Sequence, residues 1–263
     1  MTGPDRALVR DVRDALAAVA DPERAIAMQA YMKSAMPFRG APKPVQVAAL
    51  RPVLAAHPVT DRATWEATVR ELFDAASFRE ERYAALALLG VRGARSWLDL
   101  DLVPLLEHLV VTGAWWDLVD DVAGHQVAPL HRAFPAGMAP IVRAWARDED
   151  LWLRRTAILS QLGSGVGTDR ALLTDVIEAN VESREFFHRK AIGWALRDLA
   201  WKDPDWVRAF VTDHPDLSGL SRREALKNLR SSSLKVAFVA KSATNPAFIP
   251  VHPTPFPEPV TGG

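Results

Sequence analysis

Two residues in one short segment have the chemistry needed to break a bond to a positively charged leaving group. Trp116 and Asp120 lie in the run VTGAWWDLVD at 111–120, and residues four apart share one face of a helix. A carboxylate can stabilise developing positive charge or orient a water molecule, and an indole face attracts a cation. An alternative stays open, because helical tryptophans usually belong to a core and Asp120 would then be an ordinary solvated carboxylate.

Two later segments supply cations and a further tryptophan. The run LWLRRTAIL at 151–159 places Arg155 near the start of an apolar helix, and residues 186–197 place Lys190, Trp194 and Arg197 on one helix face. A tryptophan between cations suits stacking on a sugar or base while the cations hold phosphates. A core tryptophan whose helix has a solvated basic edge explains the second pattern equally well.

Helices are the elements expected to position these residues. Apolar residues recur with helical period along most of the chain, and pairs such as Asp21-Pro22 and Asp203-Pro204 suit an N-cap followed by proline at the first helical position. We expect helices over 5–19, 22–36, 43–56, 62–74, 80–90, 100–111, 114–123, 138–147, 150–162, 169–180, 185–200, 203–212 and 221–230.

A faint internal repeat indicates how these helices are arranged. Three runs, RYAAL from Arg82, RTAIL from Arg155 and RKAIG from Arg189, place small residues where stacked helix pairs must approach closely. The sequence therefore predicts an all-α, HEAT-like helical-repeat solenoid with a concave face, formed by residues 1–241 as one domain. Residues 242–263 contain six prolines and are predicted to be an extended tail.

The composition excludes several classes of function. The chain of 263 residues has 32 basic and 32 acidic residues and no cysteine, which excludes disulfides and thiolate chemistry and fits a reducing cytosol. No apolar stretch is long enough for a membrane span. The glycine-rich run at 163–168 follows a helix and lacks the P-loop lysine, and the histidines form no HExxH pair. We therefore expect no metal and no cofactor.

Taken together, these segments resemble the AlkD-type family of DNA alkylation-repair glycosylases, which are built from HEAT-like repeats. The similarity spans roughly residues 10 to 235 and is most specific in the WWDxVD and KAIGWxLR runs. The stretches that carry it, in order, are 28–33 (MQAYMK), 111–120, 151–162, 185–197 and 221–225 (SRREA).

The resemblance implies a substrate and a role for each matching position. Family members excise bases made cationic by alkylation, such as 7-methylguanine and 3-methyladenine, from double-stranded DNA held in a concave cleft. Asp120 would be the catalytic carboxylate, and Trp116 and Trp194 would pack on the deoxyribose of the lesion. Arg155 and Arg197 would contact phosphates and Tyr31 would line the cleft. No lysine lies beside Asp120 in the sequence, so we expect a monofunctional enzyme, and we expect it to be a cytoplasmic monomer.

Two other functions fit the same scaffold. One is a non-catalytic HEAT-like protein that binds unusual DNA structures, since some relatives keep the fold without the activity. The other is a protein-interaction scaffold, a common use of helical solenoids. Asp120 is present here, which favours the catalytic branch.

Overall fold

The computed structural model describes residues 3–229, and this range is all-α, with no β-strand. It confirms the predicted fold class. The helices, numbered α1 to α14 in chain order, span Arg6–Ala18, Pro22–Met32, Lys43–Ala56, Arg62–Asp74, Arg79–Leu89, Val103–Gly113, Trp116–Val122, Ala128–Ala133, Pro135–Trp145, Leu151–Leu159, Arg170–Glu178, Phe186–Ala200, Pro204–Asp213 and Gly219–Ala225.

Aspartate side chains start many of these helices. At each such position the carboxylate accepts a hydrogen bond from a backbone N–H of the first turn, which would otherwise have no partner. Asp21 and Asp203 are followed by proline at the first helical position, as expected. The aspartate N-caps are Asp5, Asp21, Asp61, Asp150, Asp169 and Asp203.

One connected set of buried apolar side chains runs from Leu8 in α1 to Ala225 in α14. The small residues of the repeat lie within it: Ala84, Ala157 and Ala191 are all buried. Their helices pack against neighbours, α5 on α4 and α10 on α12, because a small side chain lets two helix axes approach.

Two helix ends differ from the sequence prediction because of a single left-handed residue. The helix expected over 22–36 ends at Met32, since Lys33 adopts the left-handed conformation with φ 49°. Ala114, with φ 41°, likewise ends α6 at Gly113 and delays α7 to Trp116. The helix predicted over 221–230 is α14, Gly219–Ala225, followed by a turn at Leu226 and further helical residues at 227–229.

The helical residues 124–133, which follow the predicted helix over 114–123, were not predicted. Val122 continues directly into a π-helical turn, Ala123–Val127, and then into α8. Gly124 and Pro129 obscure the helical pattern there, because both residues are poor helix formers. The predicted tail, 242–263, lies outside the described residues, so the division into one domain and a tail stays a prediction.

Candidate active site and nucleic-acid interface

The candidate site is built around α7, which carries three carboxylates within two turns. Trp115 is the extended N-cap residue and Trp116 the first helical residue, followed by Asp117, Asp120 and Asp121. Each carboxylate is bonded to a cation from a different part of the chain. These ion pairs fix the rotation of α7 about its axis and its position along that axis relative to the neighbouring helices.

Asp120 forms a bidentate ion pair with Arg155 of α10. The Nε of Arg155 donates to Asp120 Oδ1 at 2.7 Å and Nη2 donates to Oδ2 at 2.8 Å. The arginine side chain is 4% exposed and the aspartate side chain 15% exposed. This geometry leaves the carboxylate oriented and largely desolvated, with a small exposed portion.

The same guanidinium also contacts α12. Nη1 of Arg155 donates to the backbone carbonyl of Phe187 at 2.5 Å, and the guanidinium carbon lies 5.7 Å from the Phe187 ring centroid. Arg155 thus joins the helix with Trp116 and Asp120 to the helix with Trp194. The sequence placed these residues on separate segments, and the structure brings their helices together.

Burial raises the pKa of Asp120 above the usual range of an aspartate, and the neighbouring carboxylates of Asp117 and Asp121 raise it further. Arg155 opposes both effects through its charge and its hydrogen bonds. A carboxylate with little water around it interacts more strongly with a nearby positive charge. Asp120 is therefore suited to stabilising a cation that forms beside it.

A second ion pair anchors the first turn of α7 to α5. The guanidinium of Arg79 donates to both oxygens of Asp117, at 3.3 and 2.5 Å, and the Tyr83 hydroxyl donates to the same carboxylate. The side chain of Arg79 is 5% exposed and that of Asp117 is 11% exposed. Sequence reasoning missed this group because 38 residues separate Arg79 from Asp117, a distance at which helical spacing carries no information.

Asp121 lies beside a lysine and a histidine. Its carboxylate lies 3.6 Å from Lys43 Nζ of α3 and 3.6 Å from His125 Nδ1 in the π-helical turn. Burial raises the pKa of Asp121, but hydrogen bonds and the charges of His125 and Lys43 outweigh that effect and leave it lowered. Asp121 and Asp120 are thus adjacent carboxylates in different electrostatic surroundings.

The two tryptophans of α7 have different environments. Trp115 belongs to an aromatic cluster, with ring centroids 6.0 Å from Trp152 and 5.7 Å from Phe187. Trp116 is half-buried and packs against the edge of the core. Both tryptophans are therefore half-buried, and Trp116 lies one turn before Asp120 on α7.

On α12 the predicted basic face is present, and its cations share one carboxylate. Glu224 of α14 bonds to Lys190 at 2.8 Å and to Arg197. Burial raises the pKa of Glu224, but Lys190 and Arg197 together lower it below the usual range. Trp194 is half-buried between these two cations. Glu224 is in the SRREA run, but nothing in the sequence indicated its partners.

Comparison with known proteins identifies the kind of protein that carries this site. The family model described as DNA alkylation repair enzyme matches residues 12–229. The chain belongs to the DNA alkylation repair enzyme family. A solved structure titled "Predicted DNA alkylation repair enzyme from Enterococcus faecalis" is similar, with a TM-score of 0.72 and 28% identity, over 85% of this chain and 98% of that one. A search of curated proteins found no match.

In this DNA alkylation repair family member, most of the predicted site residues lie on helices that Arg155 connects, and Tyr31 lies on another helix. Trp116, Asp120, Arg155 and Trp194 lie on α7, α10 and α12, which Arg155 joins. Tyr31 lies apart on α2 and is 51% exposed. Met32 is the one residue of α2 that is buried, so most of this helix faces solvent.

Other kinds of site were sought in the described residues. Over 3–229 no group of three or more acidic or histidine side chains is arranged to hold a metal ion. Within the same range, no helix has the length and apolar character needed to cross a membrane.

Proposed function

We propose that this protein is a monofunctional DNA glycosylase that hydrolyses the N-glycosidic bond of cationic alkylated purines, such as 7-methylguanine and 3-methyladenine, in double-stranded DNA. The observation that carries the proposal is the largely desolvated carboxylate of Asp120, which lies on the same helix as Trp116. Arg155 of α10 holds this carboxylate in an ion pair. Membership in a DNA alkylation repair family supplies the class of substrate.

The reaction needs an anion beside the sugar. Alkylation gives the base a positive charge, and the C1′–N bond breaks with its electron pair moving to the base, which leaves neutral. The sugar becomes an oxocarbenium-like cation. Asp120 stabilises that cation by its charge, and a water oxygen then bonds to C1′ and releases a proton to solvent or to the carboxylate. The products are a free base and an abasic site.

Arg155 positions the carboxylate in this proposal. The sequence predicted a phosphate contact for Arg155, but its guanidinium is buried and directed at Asp120 and the Phe187 carbonyl. A guanidinium that donates to both oxygens of a carboxylate holds them in the guanidinium plane. We therefore assign Arg155 the orientation of Asp120, so that the carboxylate does not rotate away from the sugar.

The remaining predicted residues keep their proposed roles as DNA contacts. The half-buried indoles of Trp116 and Trp194 would pack on the deoxyribose of the lesion. Arg197, with 23% of its side chain exposed, would donate to a phosphate with the N–H groups that Glu224 does not use. Tyr31, exposed on α2, would line the cleft.

Hydrolysis without a lysine nucleophile is consistent with the positions of two nearby lysines. Lys43 is paired with Asp121 and Lys190 with Glu224. Each of these lysines is thus engaged with a carboxylate other than Asp120, and a Schiff-base mechanism needs a lysine that reaches the sugar. We therefore expect an intact abasic strand, which alkali cleaves and the enzyme does not.

The decisive experiment is base release from a duplex with a single 7-methylguanine under single-turnover conditions. We expect the wild type to release the base and Asp120→Asn, which keeps the shape and removes the charge, to lose most of that rate. Asp121→Asn is the matched control, because it removes the adjacent carboxylate, which faces Lys43 and His125, and it should stay active at neutral pH.

Two results would contradict the proposal. Equal rates for wild type and Asp120→Asn would remove the carboxylate from the mechanism. A wild type that binds the duplex tightly and releases no base would instead support the non-catalytic DNA-binding function. Circular dichroism of each variant separates loss of chemistry from loss of fold.

A further inference from the structure

A small pocket lies beside the π-helical turn that follows α7. It encloses about 170 Å³ and is lined by residues of α4, of α5 and the segment after it, and of the turn itself. We call it the π-turn pocket. A cavity of about 150 Å³ accepts one benzene molecule, so the π-turn pocket has room for a ligand with a single ring.

Part of the pocket wall is apolar. Trp65 of α4 lines it, and the indole N–H of Trp65 already donates to the Leu88 carbonyl oxygen at 3.0 Å. Leu98 and Leu102 add aliphatic carbon to the wall. Ligand sites commonly combine such a wall with a few placed polar groups, so this part of the pocket favours the apolar body of a ligand.

Gln126 brings an amide without a partner to the pocket. The residue lines the pocket and is 7% exposed, and its side-chain amide has no hydrogen-bond partner within the range 3–229. An amide taken out of water without a hydrogen bond costs free energy. A ligand atom that accepts a hydrogen bond from Gln126 removes that cost.

The other two polar residues of the lining are basic. Arg95 is exposed and has no ion pair with any residue that the structure describes. The interaction of His125 with Asp121 raises the pKa of His125, although burial opposes this effect. None of the nine lining residues is acidic. A concave surface lined by one sign of charge attracts the opposite sign, so the polar part of the pocket favours an anion.

The backbone at the pocket has an uncommon conformation. His125 and Gln126 both belong to the π-helical turn, Ala123–Val127, and turns of this kind are rare and recur at functional sites. The turn continues directly from α7. A ligand in the pocket therefore contacts the same helical segment that carries Asp120.

We propose that the π-turn pocket binds a small organic anion, namely a carboxylate attached to a single ring. The ring lies against Trp65, and the carboxylate accepts hydrogen bonds from Gln126 and Arg95, with His125 beside it. Three features carry the inference: the enclosed volume, the buried amide without a partner and the arginine without an ion pair. It does not depend on the proposed glycosylase function.

The first test uses benzoate as the probe, with isothermal titration calorimetry on the full chain. Benzamide is the matched ligand, because it keeps the ring and lacks the charge. We expect benzoate to bind saturably at one site and benzamide to bind roughly tenfold more weakly, since hydrogen bonds to a charged group are the stronger ones. No saturable binding of benzoate, or equal affinities for the two compounds, would overturn the proposal.

A pair of arginine variants locates the binding site. Arg92 and Arg95 are exposed residues of the same 3-10 helix, Arg92–Trp97, and only Arg95 lines the pocket. Arg95→Gln should weaken benzoate binding roughly tenfold and leave benzamide binding unchanged, while Arg92→Gln should match the wild type. An equal loss of benzoate affinity in both variants would show general attraction of an anion and refute the site.

A third variant separates ligand binding from a structural role of Gln126. Gln126→Met keeps an unbranched side chain and removes the amide. We expect the ligand-free variant to be at least as stable as the wild type in urea, because an amide without a partner is lost, and to bind benzoate more weakly. Lower stability together with unchanged benzoate affinity would assign Gln126 to packing and contradict the proposal.

Discussion

At the scale of single residues, α7 carries three carboxylates with three different environments. Asp120 faces Arg155, Asp117 faces Arg79 and Tyr83, and Asp121 faces Lys43 and His125. The sequence predicted Trp116 and Asp120 as a pair because the spacing of four is a local property of a helix. The partners come from distant segments, so only the folded chain shows that Arg155 faces a carboxylate.

The proposed mechanism makes base release depend on pH through the surroundings of Asp120. Burial raises the pKa of Asp120, so in that mechanism the carboxylate is protonated, and base release is lost, at a higher pH than for an ordinary aspartate. We expect Asp121→Asn to shift the acidic limb of the single-turnover rate to lower pH, because the Asp121 charge contributes to raising that pKa. An unshifted limb would show that another group controls it.

The same shift has a consequence for stability. The folded state holds the proton of Asp120 more tightly than the unfolded state does. The contribution of this group to the free energy of unfolding is therefore greatest at low pH and is lost as pH rises through the raised pKa. An ionised Asp120 is thus less favourable for folding than an exposed aspartate, and Arg155 offsets part of that cost.

At the scale of helices, periodicity predicted most of the elements and their approximate ends. Boundaries set by one backbone conformation, such as the left-handed Lys33 and Ala114, were not visible, because neither residue type usually signals a helix end. The π-helical turn, Ala123–Val127, was also missed. Turns of this kind depend on packing around them and have no clear sequence pattern.

The contact between α12 and α14 requires glycine at position 193. A Cβ there would lie 2.4 Å from Glu224 Cβ and 2.9 Å from the Ser221 carbonyl oxygen. We expect Gly193→Ala to lower the free energy of unfolding by about 1–3 kcal/mol, since overpacking outweighs the gain in helix propensity. Urea denaturation measures the change.

Gly124 provides the matched control for that substitution. A Cβ at Gly124 would meet nothing within 4 Å, so Gly124→Ala should stabilise the protein by roughly 0.5–1 kcal/mol through a lower entropy of the unfolded chain. If both substitutions changed the stability equally, close packing at Gly193 would not be the cause.

At the scale of the whole molecule, the all-α architecture was predictable because helical periods, aspartate caps and small residues at repeated positions all indicate it. The arrangement of charged side chains could not be predicted from the sequence. The chain has no net charge, and only the folded structure shows that the three carboxylates of α7 are paired with Lys43, Arg79 and Arg155 from other helices.

The predicted division of the chain is tested by truncation. A protein that ends at Lys241 lacks residues 242–263, the segment with six prolines. If that segment lies outside the folded domain, the urea midpoint and the base-release rate should equal those of the full chain. A lower midpoint would show that the segment packs on the domain, and a changed rate alone would place it near the bound DNA.

The ion pairs of α7 also bear on how fast DNA arrives. A carboxylate bonded to a guanidinium acts at a distance as a small dipole, and its field decays faster than the field of a single charge. An approaching duplex is therefore attracted by cations such as Lys33 and is scarcely repelled by the three aspartates. Added salt screens that attraction beyond about 8 Å at physiological ionic strength. Under the proposed function, salt should thus slow association strongly and change the rate of the bond-breaking step beside Asp120 much less.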